Sequence, residues 1–130
     1  GTAGGVGYFG LAYLAQYNAL VDAVAVRNPR TGECVEPSAA TVESGTYQPL
    51  ARPIFIYVRV DALAEQPEVQ AFIQFYLENA PWVVPAVGYV ALPEAAYGWA
   101  MQRVNDRTGG TVFGDVVAGT PLQEVLDRFD

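Results

Sequence analysis

The chain has 130 residues and a formal net charge of −7, with no histidine, and its seven basic residues are all arginines. The absence of histidine and lysine excludes imidazole catalysis, histidine-based metal sites, Schiff-base chemistry and lysine-dependent phosphate motifs. The negative charge argues against nucleic acid as a partner, because its phosphates would be repelled. A hydrophobic content of 52% indicates a folded chain with a substantial core. We therefore expect no enzyme activity and no cofactor.

The hydrophobic pattern predicts strands and helices that alternate along the first half of the chain. The predicted strands lie at residues 5–9, 22–27 and 54–60. The predicted helices begin at or near residues 11, 39, 67, 93 and 121. Ile54–Val60 is the strongest strand, because it is rich in β-branched and aromatic residues and is expected to be covered on both faces. The order indicates an α/β fold in which a partial sheet is flanked by helices.

Helix ends are predicted from residues with known end preferences. Ser38 is the expected N-cap of the second helix, and Gly45 is its expected stop. The third helix is expected to start at Pro67 and to reach about residue 79, where Pro81 and Pro85 break it. A capping box that starts at Thr120 is expected to open the last helix.

Two sets of aromatic side chains are assigned to the core. The first set lies near the start of the chain and comprises Tyr8, Phe9, Tyr13 and Tyr17. The second set, on the third helix, places Phe72 and Tyr76 on one apolar stripe with Val69 and Ile73.

Residues 5–10 match the G-x-G-x-x-G pattern, in which glycines let a backbone approach a pyrophosphate. A dinucleotide site requires a strand before the first glycine, and only four residues precede Gly5 here. Asp22 also lies only twelve residues after Gly10, short of the spacing expected for the ribose-binding acid. The favoured interpretation is therefore a tight turn from a strand into a helix.

Ser44, Gly45 and Thr46 are a candidate oxyanion site. Two hydroxyls that flank a glycine can donate to an anion, and Arg52 could add charge-assisted contacts. The alternative is structural: Ser44 and Gly45 end a short helix, and Thr46 starts an extended connector. The structural alternative is the favoured interpretation.

Four stretches together resemble the phosphate-binding proteins of the phosphate ABC transporter. Residues 5–13 resemble the V-G-Y-F-G-x-A-Y segment of this family, and residues 34–41 resemble its P-[ST]-x-x-T segment. Residues 45–58 are similar to its G-x-Y-x-P-L-S-R-P-L-F-I-Y-V signature, with Ala51 in place of the usual serine. Residues 87–97 are similar to its G-Y-V-x-L-P-x-x-x-Y block.

The resemblance implies the C-terminal segment of a type II periplasmic binding protein, whose two α/β lobes close on phosphate. Residues 1–50 would form the end of the second lobe and the crossover, and residues 51–130 would return to the first lobe. The family's main ligand motif lies upstream of this chain, so no phosphate-contacting residue is assigned. The cleft or hinge candidates are Ser44, Gly45, Thr46, Tyr47 and Arg52.

The resemblance also implies a function: the intact protein would bind inorganic phosphate outside the cytoplasm and deliver it to an ABC transporter permease. The expected location is periplasmic or extracellular, and the isolated chain is expected to bind phosphate weakly or not at all. An exposed sheet edge at residues 54–60 would favour a homodimer. The alternative is a stand-alone small α/β interaction domain without a ligand.

Overall fold

A computed structural model of the chain describes residues 4–17, 19–117 and 120–127. Within these ranges the fold contains both α and β structure, as six helices and one two-stranded sheet. The elements in chain order are α1 (Leu11–Tyr17), β1 (Val26–Arg27), β2 (Cys34–Val35), α2 (Ala39–Glu43), α3 (Val60–Glu65), α4 (Pro67–Ala86), α5 (Glu94–Asn105) and α6 (Leu122–Leu126).

Strands β1 and β2 form an antiparallel hairpin in which Val26 pairs with Val35. The turn between them is closed by hydrogen bonds from Asn28 N to the Glu33 carbonyl and from Gly32 N to the Asn28 carbonyl, both 2.8 Å. Gly32 has a φ of +77°, a left-handed conformation that glycine adopts without steric cost.

Helices α3, α4 and α5 follow one another and pack in that order. Their buried side chains are Leu63 on α3, Ile73, Leu77 and Ala80 on α4, and Ala96 on α5. The three on α4 recur at helical spacing, which places them on one face of the helix. This face forms the centre of the core in the described part of the chain.

Helix α1 is joined to this core at the end of α4. Gly88 follows α4 with a φ of +82°, and a Cβ placed on it would lie 3.4 Å from the Ala12 Cβ. Ala12 is the buried residue of α1. The two backbones therefore approach each other closely at these positions.

The predicted strand at residues 54–60 does not form: residues 54–59 are irregular, and Val60 begins α3. Ile54 and Tyr57 are exposed rather than covered on both faces. A strand requires a neighbour to pair with, and β propensity largely reflects such packing. Because no strand forms here, the sheet edge that was expected to support a homodimer is absent from this segment.

Of the other two predicted strands, one does not form and one is shorter than expected. Residues 5–9 have no regular structure and are exposed, and only Val26–Arg27 remains of the strand predicted at 22–27. The observed sheet is thus one short hairpin and not a sheet covered by helices. The reason is again that a strand pattern fixes no partner by itself.

Helix α4 continues through Pro81 and Pro85 to Ala86, so the predicted break near residue 79 is wrong. A proline lacks the N–H that continues a helix, but packing of the surrounding helix can compensate for it. Here Leu77 and Ala80 are buried, whereas both prolines are exposed. No helix in the described ranges is long and apolar enough to span a membrane.

The predicted aromatic core is wrong as well. Every member of the first aromatic set is exposed: Tyr8, Phe9, Tyr13 and Tyr17. On α4, Phe72 and Tyr76 are exposed while Ile73 is buried. The core is consequently smaller than the hydrophobic content suggested.

The last helix begins without the predicted capping box. Pro121 is its N-cap, and the Thr120 hydroxyl donates to the Val117 carbonyl at 2.8 Å instead. The sequence also predicts Phe129 as an apolar residue of this helix, and Phe129 lies outside the described residues.

Candidate functional site

The cleft or hinge candidates follow helix α2, whose two ends are well defined. Ser38 is its N-cap: the Ser38 hydroxyl accepts from Thr41 N at 3.1 Å, and the Thr41 hydroxyl accepts from Ser38 N at 2.9 Å. The helix ends at Glu43, with Ser44 as C-cap and Gly45 at a φ of +71°. Both ends agree with the prediction from sequence.

Both hydroxyls and two backbone N–H groups of this loop are used in hydrogen bonds within it. The Ser44 and Thr46 hydroxyl oxygens are 2.9 Å apart, and the Thr46 hydroxyl donates to the Thr41 carbonyl at 3.2 Å. The Gly45 N–H donates to the Val42 carbonyl, and the Tyr47 N–H donates to the Thr41 carbonyl. The loop therefore ends a helix, and the C-terminal end of a helix repels anions.

Asn28 connects the hairpin turn to this loop. Its side-chain amide donates to the Thr46 carbonyl at 2.8 Å, and its Oδ1 accepts from Arg30 N at 2.8 Å. Only 4% of Asn28 is exposed. From the sequence, Asn28 appears as an ordinary turn residue, because nothing there indicates a contact 18 residues away.

We call Asn28, Ser44, Thr46, Tyr47 and Gln48 the crossover cluster. Burial raises the pKa of the Tyr47 phenol, and the nearby Tyr8 phenol raises it further. Gln48 is 5% exposed, and its Oε1 has no hydrogen-bond partner among the described residues. No sequence signal marked Gln48, since a polar residue before proline in a connector is normally exposed.

Arg52, the remaining candidate, lies on the connector after the crossover cluster. Its guanidinium is exposed and donates to the Pro49 carbonyl at 3.1 Å. This contact directs the side chain back along the connector. The hydroxyls of Ser44 and Thr46 are instead bonded to each other and to α2.

Helix α6 lies against the hairpin turn and the glycine that follows α2. Arg30 forms a bidentate ion pair with Glu124, in which Nη2 and Oε2 are 3.1 Å apart. A Cβ placed on Gly45 would lie 3.8 Å from the Pro121 Cβ. Val125 of α6 has no exposed surface at all. The last described helix is thus attached to residues in the first 50.

A separate open groove of about 290 Å³ lies at the start of α3, and Arg59, Asp61, Glu65 and Gln66 contribute to its lining. Arg59 and Asp61 form an ion pair across it, and the hydrogen bond from Arg59 lowers the pKa of the Asp61 carboxyl. The described residues contain no group of three acidic, cysteine or histidine side chains that could hold a metal ion. The groove has no residue in common with the crossover cluster.

Comparison with known proteins finds relatives of two names, SphX and the phosphate-binding protein PstS. The chain is 43% identical over 124 residues to the protein SphX of Synechococcus elongatus and 44% identical over 124 residues to SphX of a Synechocystis species. It is 36% identical over 93 residues to the phosphate-binding protein PstS of Staphylococcus aureus. These relatives support the resemblance to phosphate-binding proteins.

The similarity covers most of this chain but a minor part of each relative. The SphX matches cover 95% of the chain and 36% of the relative, and the PstS match covers 72% and 28%. The chain therefore spans about a third of the length of these curated relatives. No protein-family model matches the chain, and no solved structure matches it.

Proposed function

We propose that the chain is the C-terminal portion of an extracytoplasmic phosphate-binding protein that delivers phosphate to an ABC transporter permease. The observation that carries the proposal is the similarity to SphX along 95% of the chain, together with the similarity to a protein named as phosphate-binding. The protein would act as a binding module and not as an enzyme. Its place of action would be the periplasm or the outer cell surface.

The proposed fold is that of a type II periplasmic binding protein. Residues 1–50 would contribute to the second lobe and the crossover, and residues 51–130 to the first lobe. The crossover cluster would then lie at the hinge, with Ser44, Gly45, Thr46, Tyr47 and Arg52 near the cleft. A buried acceptor such as Gln48 Oε1 normally has a donor, and the other part of a longer protein would supply it.

Phosphate contacts would come mainly from residues outside this chain. The Ser44 and Thr46 hydroxyls support this view, because they are bonded to each other and Thr46 also donates to the end of α2. We therefore expect titration of the isolated chain with inorganic phosphate to give no measurable heat at millimolar concentrations. Micromolar binding by the isolated chain would contradict this assignment.

The proposal as a whole is tested in a longer protein. The matched region of Staphylococcus aureus PstS is replaced by the corresponding residues of this chain, and phosphate binding is measured by calorimetry. We expect a dissociation constant within about tenfold of that of unmodified PstS, a difference of about 1.4 kcal/mol. A chimera that folds cooperatively but has lost phosphate binding would overturn the proposed function.

A further inference from the structure

Helix α4 has a second apolar face besides the one in the core. Residues on this face recur at alternating steps of four and three from Glu68: they are Phe72, Phe75, Asn79, Trp82 and Ala86. Consecutive helix residues are about 100° apart, so Phe72 and the buried Ile73 lie on different faces. We call the large apolar residues on this side of the helix the outer face of α4: they are Phe72, Phe75 and Trp82 of the repeat, with the adjacent Tyr76 and Val83.

The outer face is exposed along its length. The exposed fraction is 62% for Phe72, 62% for Phe75 and 64% for Trp82. Taken with Tyr76 and Val83, this amounts to about 500 Å² of exposed side-chain surface. Such an area is at the upper end for an apolar patch on a monomer and approaches the size of a small interface between domains.

Two polar side chains on this side of α4, Asn79 and Trp82, form hydrogen bonds within the helix. The Asn79 amide donates to the Phe75 carbonyl at 2.7 Å, and the Trp82 indole N–H donates to Asn79 Oδ1 at 3.2 Å. A partner that covers this face therefore finds the Trp82 indole N–H and one of the two Asn79 amide N–H groups already paired. Large aromatic side chains held in this way are the usual energetic centres of interfaces.

We propose that the outer face of α4 is the surface on which the remaining part of a longer binding protein packs. The inference rests on the proposed function, and it adds to that function the surface of this chain that contacts the rest of the protein. About two thirds of each SphX relative lies outside the matched region, so these relatives contain polypeptide that could cover the face. Exposed apolar side chains also precede α3 at Ile54 and Tyr57.

Charge argues against a second copy of this chain as the occupant. Helix α4 carries Glu68 and Glu78 and has no basic residue. Two copies packed through this helix would bring like charges together within a chain whose net charge is already −7. The polypeptide segment that covers the outer face would therefore have an apolar centre, with basic or neutral side chains at its rim.

The test compares one pair of substitutions in two settings. Phe72→Ser and Phe75→Ser are introduced together into the isolated chain and into a chimera in which this chain replaces the matched region of Synechococcus elongatus SphX. Serine and phenylalanine have similar helix propensities, so the helix itself is little affected. Glu78→Ser on the same helix and Gln102→Ser on α5, both exposed and outside the outer face, form the matched control. Melting temperatures are measured by circular dichroism.

In the isolated chain we expect a shift below about 2 °C, because both rings are exposed. In the chimera we expect a loss of about 10 °C or more, because the same rings are then buried. The control pair is expected to shift neither protein by more than about 2 °C. Equal shifts in the two settings would overturn the proposal, as would a chimera that does not fold.

Sedimentation of the isolated chain tests the alternative occupant. A dimer that the phenylalanine substitutions convert to a monomer would show that a second copy covers the face, and would overturn the proposal. Phosphate binding is measured separately in the PstS chimera. Its absence would count against the proposed function, whereas the melting comparison in the SphX chimera would stand.

Discussion

The side-chain amide of Asn28 donates to the backbone carbonyl of Thr46 at 2.8 Å and so joins the hairpin turn to the connector after α2. The Oδ1 atom of Asn28 accepts from Arg30 N within the turn. One buried side chain therefore holds two segments that are 18 residues apart in sequence.

Substitution Asn28→Ala is expected to lower the free energy of unfolding by about 1–3 kcal/mol, because it leaves the partly buried Thr46 carbonyl without its donor. Urea unfolding followed by circular dichroism measures the change. Asn105→Ala, at the exposed end of α5, is the control and should change stability by less than about 0.5 kcal/mol.

Asn28→Asp separates the two roles of this side chain. Aspartate can still accept from Arg30 N, but it places an oxygen against the Thr46 carbonyl in place of the donor. We therefore expect it to destabilise the chain at neutral pH. If Asn28→Asp has wild-type stability, the bond to Thr46 does not stabilise the chain, and only the bond to Arg30 N within the turn does.

The ion pair between Arg30 and Glu124 gives a second prediction, about the attachment of α6. Arg30→Glu and Glu124→Arg should each lower the urea midpoint, and the double reversal should restore most of the loss, because the opposite charges face each other again. Both side chains are about half exposed, so the effect should be small and should shrink between about 0.05 and 1 M NaCl.

Glu36→Arg is the control for the Arg30–Glu124 prediction, since it changes the net charge by the same amount at another exposed carboxylate. A general charge effect in a chain of net charge −7 would make Glu36→Arg and Glu124→Arg behave alike. Single reversals that are not rescued in the double variant would contradict a direct pairing across 94 residues of sequence.

Several local signals in the sequence predicted local structure correctly, although the helix break at Pro81 and the capping box at Thr120 did not form. Ser38 caps α2 as expected, Gly45 follows its end, and Pro67 begins α4. In each case the relevant partners lie within a few residues, so the sequence contains the whole interaction. The similarity to phosphate-binding proteins was also visible in the motif at residues 45–58.

Long-range structure was not predictable in the same way. Residues 54–59 have a strand composition but no strand, because pairing depends on a neighbour that the described chain does not supply. Phe72 and Ile73 are adjacent and similarly apolar, yet only Ile73 is buried. Which face of a helix is covered depends on what packs against it. Asn28 and Gln48 escaped notice for the same reason.

A pH prediction follows from Asp61, whose pKa is lowered by the hydrogen bond from Arg59. A carboxyl whose pKa is lower in the folded chain stabilises that chain above its unfolded value of about 4. This contribution is lost as the pH falls through the lower, folded pKa. Asp61→Asn should therefore reduce stability at pH 7, and the loss should shrink as the pH falls below the unfolded value, as measured by urea unfolding.

Arg59→Gln provides the control for the Asp61 prediction, because it removes the cause of the shift and keeps the carboxyl. In this variant the pKa of Asp61, followed by NMR titration of its side chain, should rise toward the ordinary value for aspartate. An unchanged pKa would show that the Arg59 guanidinium does not act on Asp61 in solution.

A final prediction concerns two glycines whose surroundings differ. Gly88 follows α4 with a φ of +82°, and a Cβ there would lie 3.4 Å from the Ala12 Cβ, an ordinary contact distance. The cost of Gly88→Ala should therefore come from the left-handed backbone and amount to about 1–2 kcal/mol. Gly98, within α5, has open space around a Cβ, and Gly98→Ala should stabilise by about 0.5–1 kcal/mol.

Opposite signs for the two glycine substitutions are the expected result in urea unfolding. Asparagine tolerates the left-handed conformation better than alanine does, so Gly88→Asn should cost less than Gly88→Ala if the backbone is the cause. Equal losses for alanine and asparagine would instead indicate steric pressure on Ala12. In that case the attachment of α1 to the end of α4 would depend on side-chain volume and not on backbone conformation.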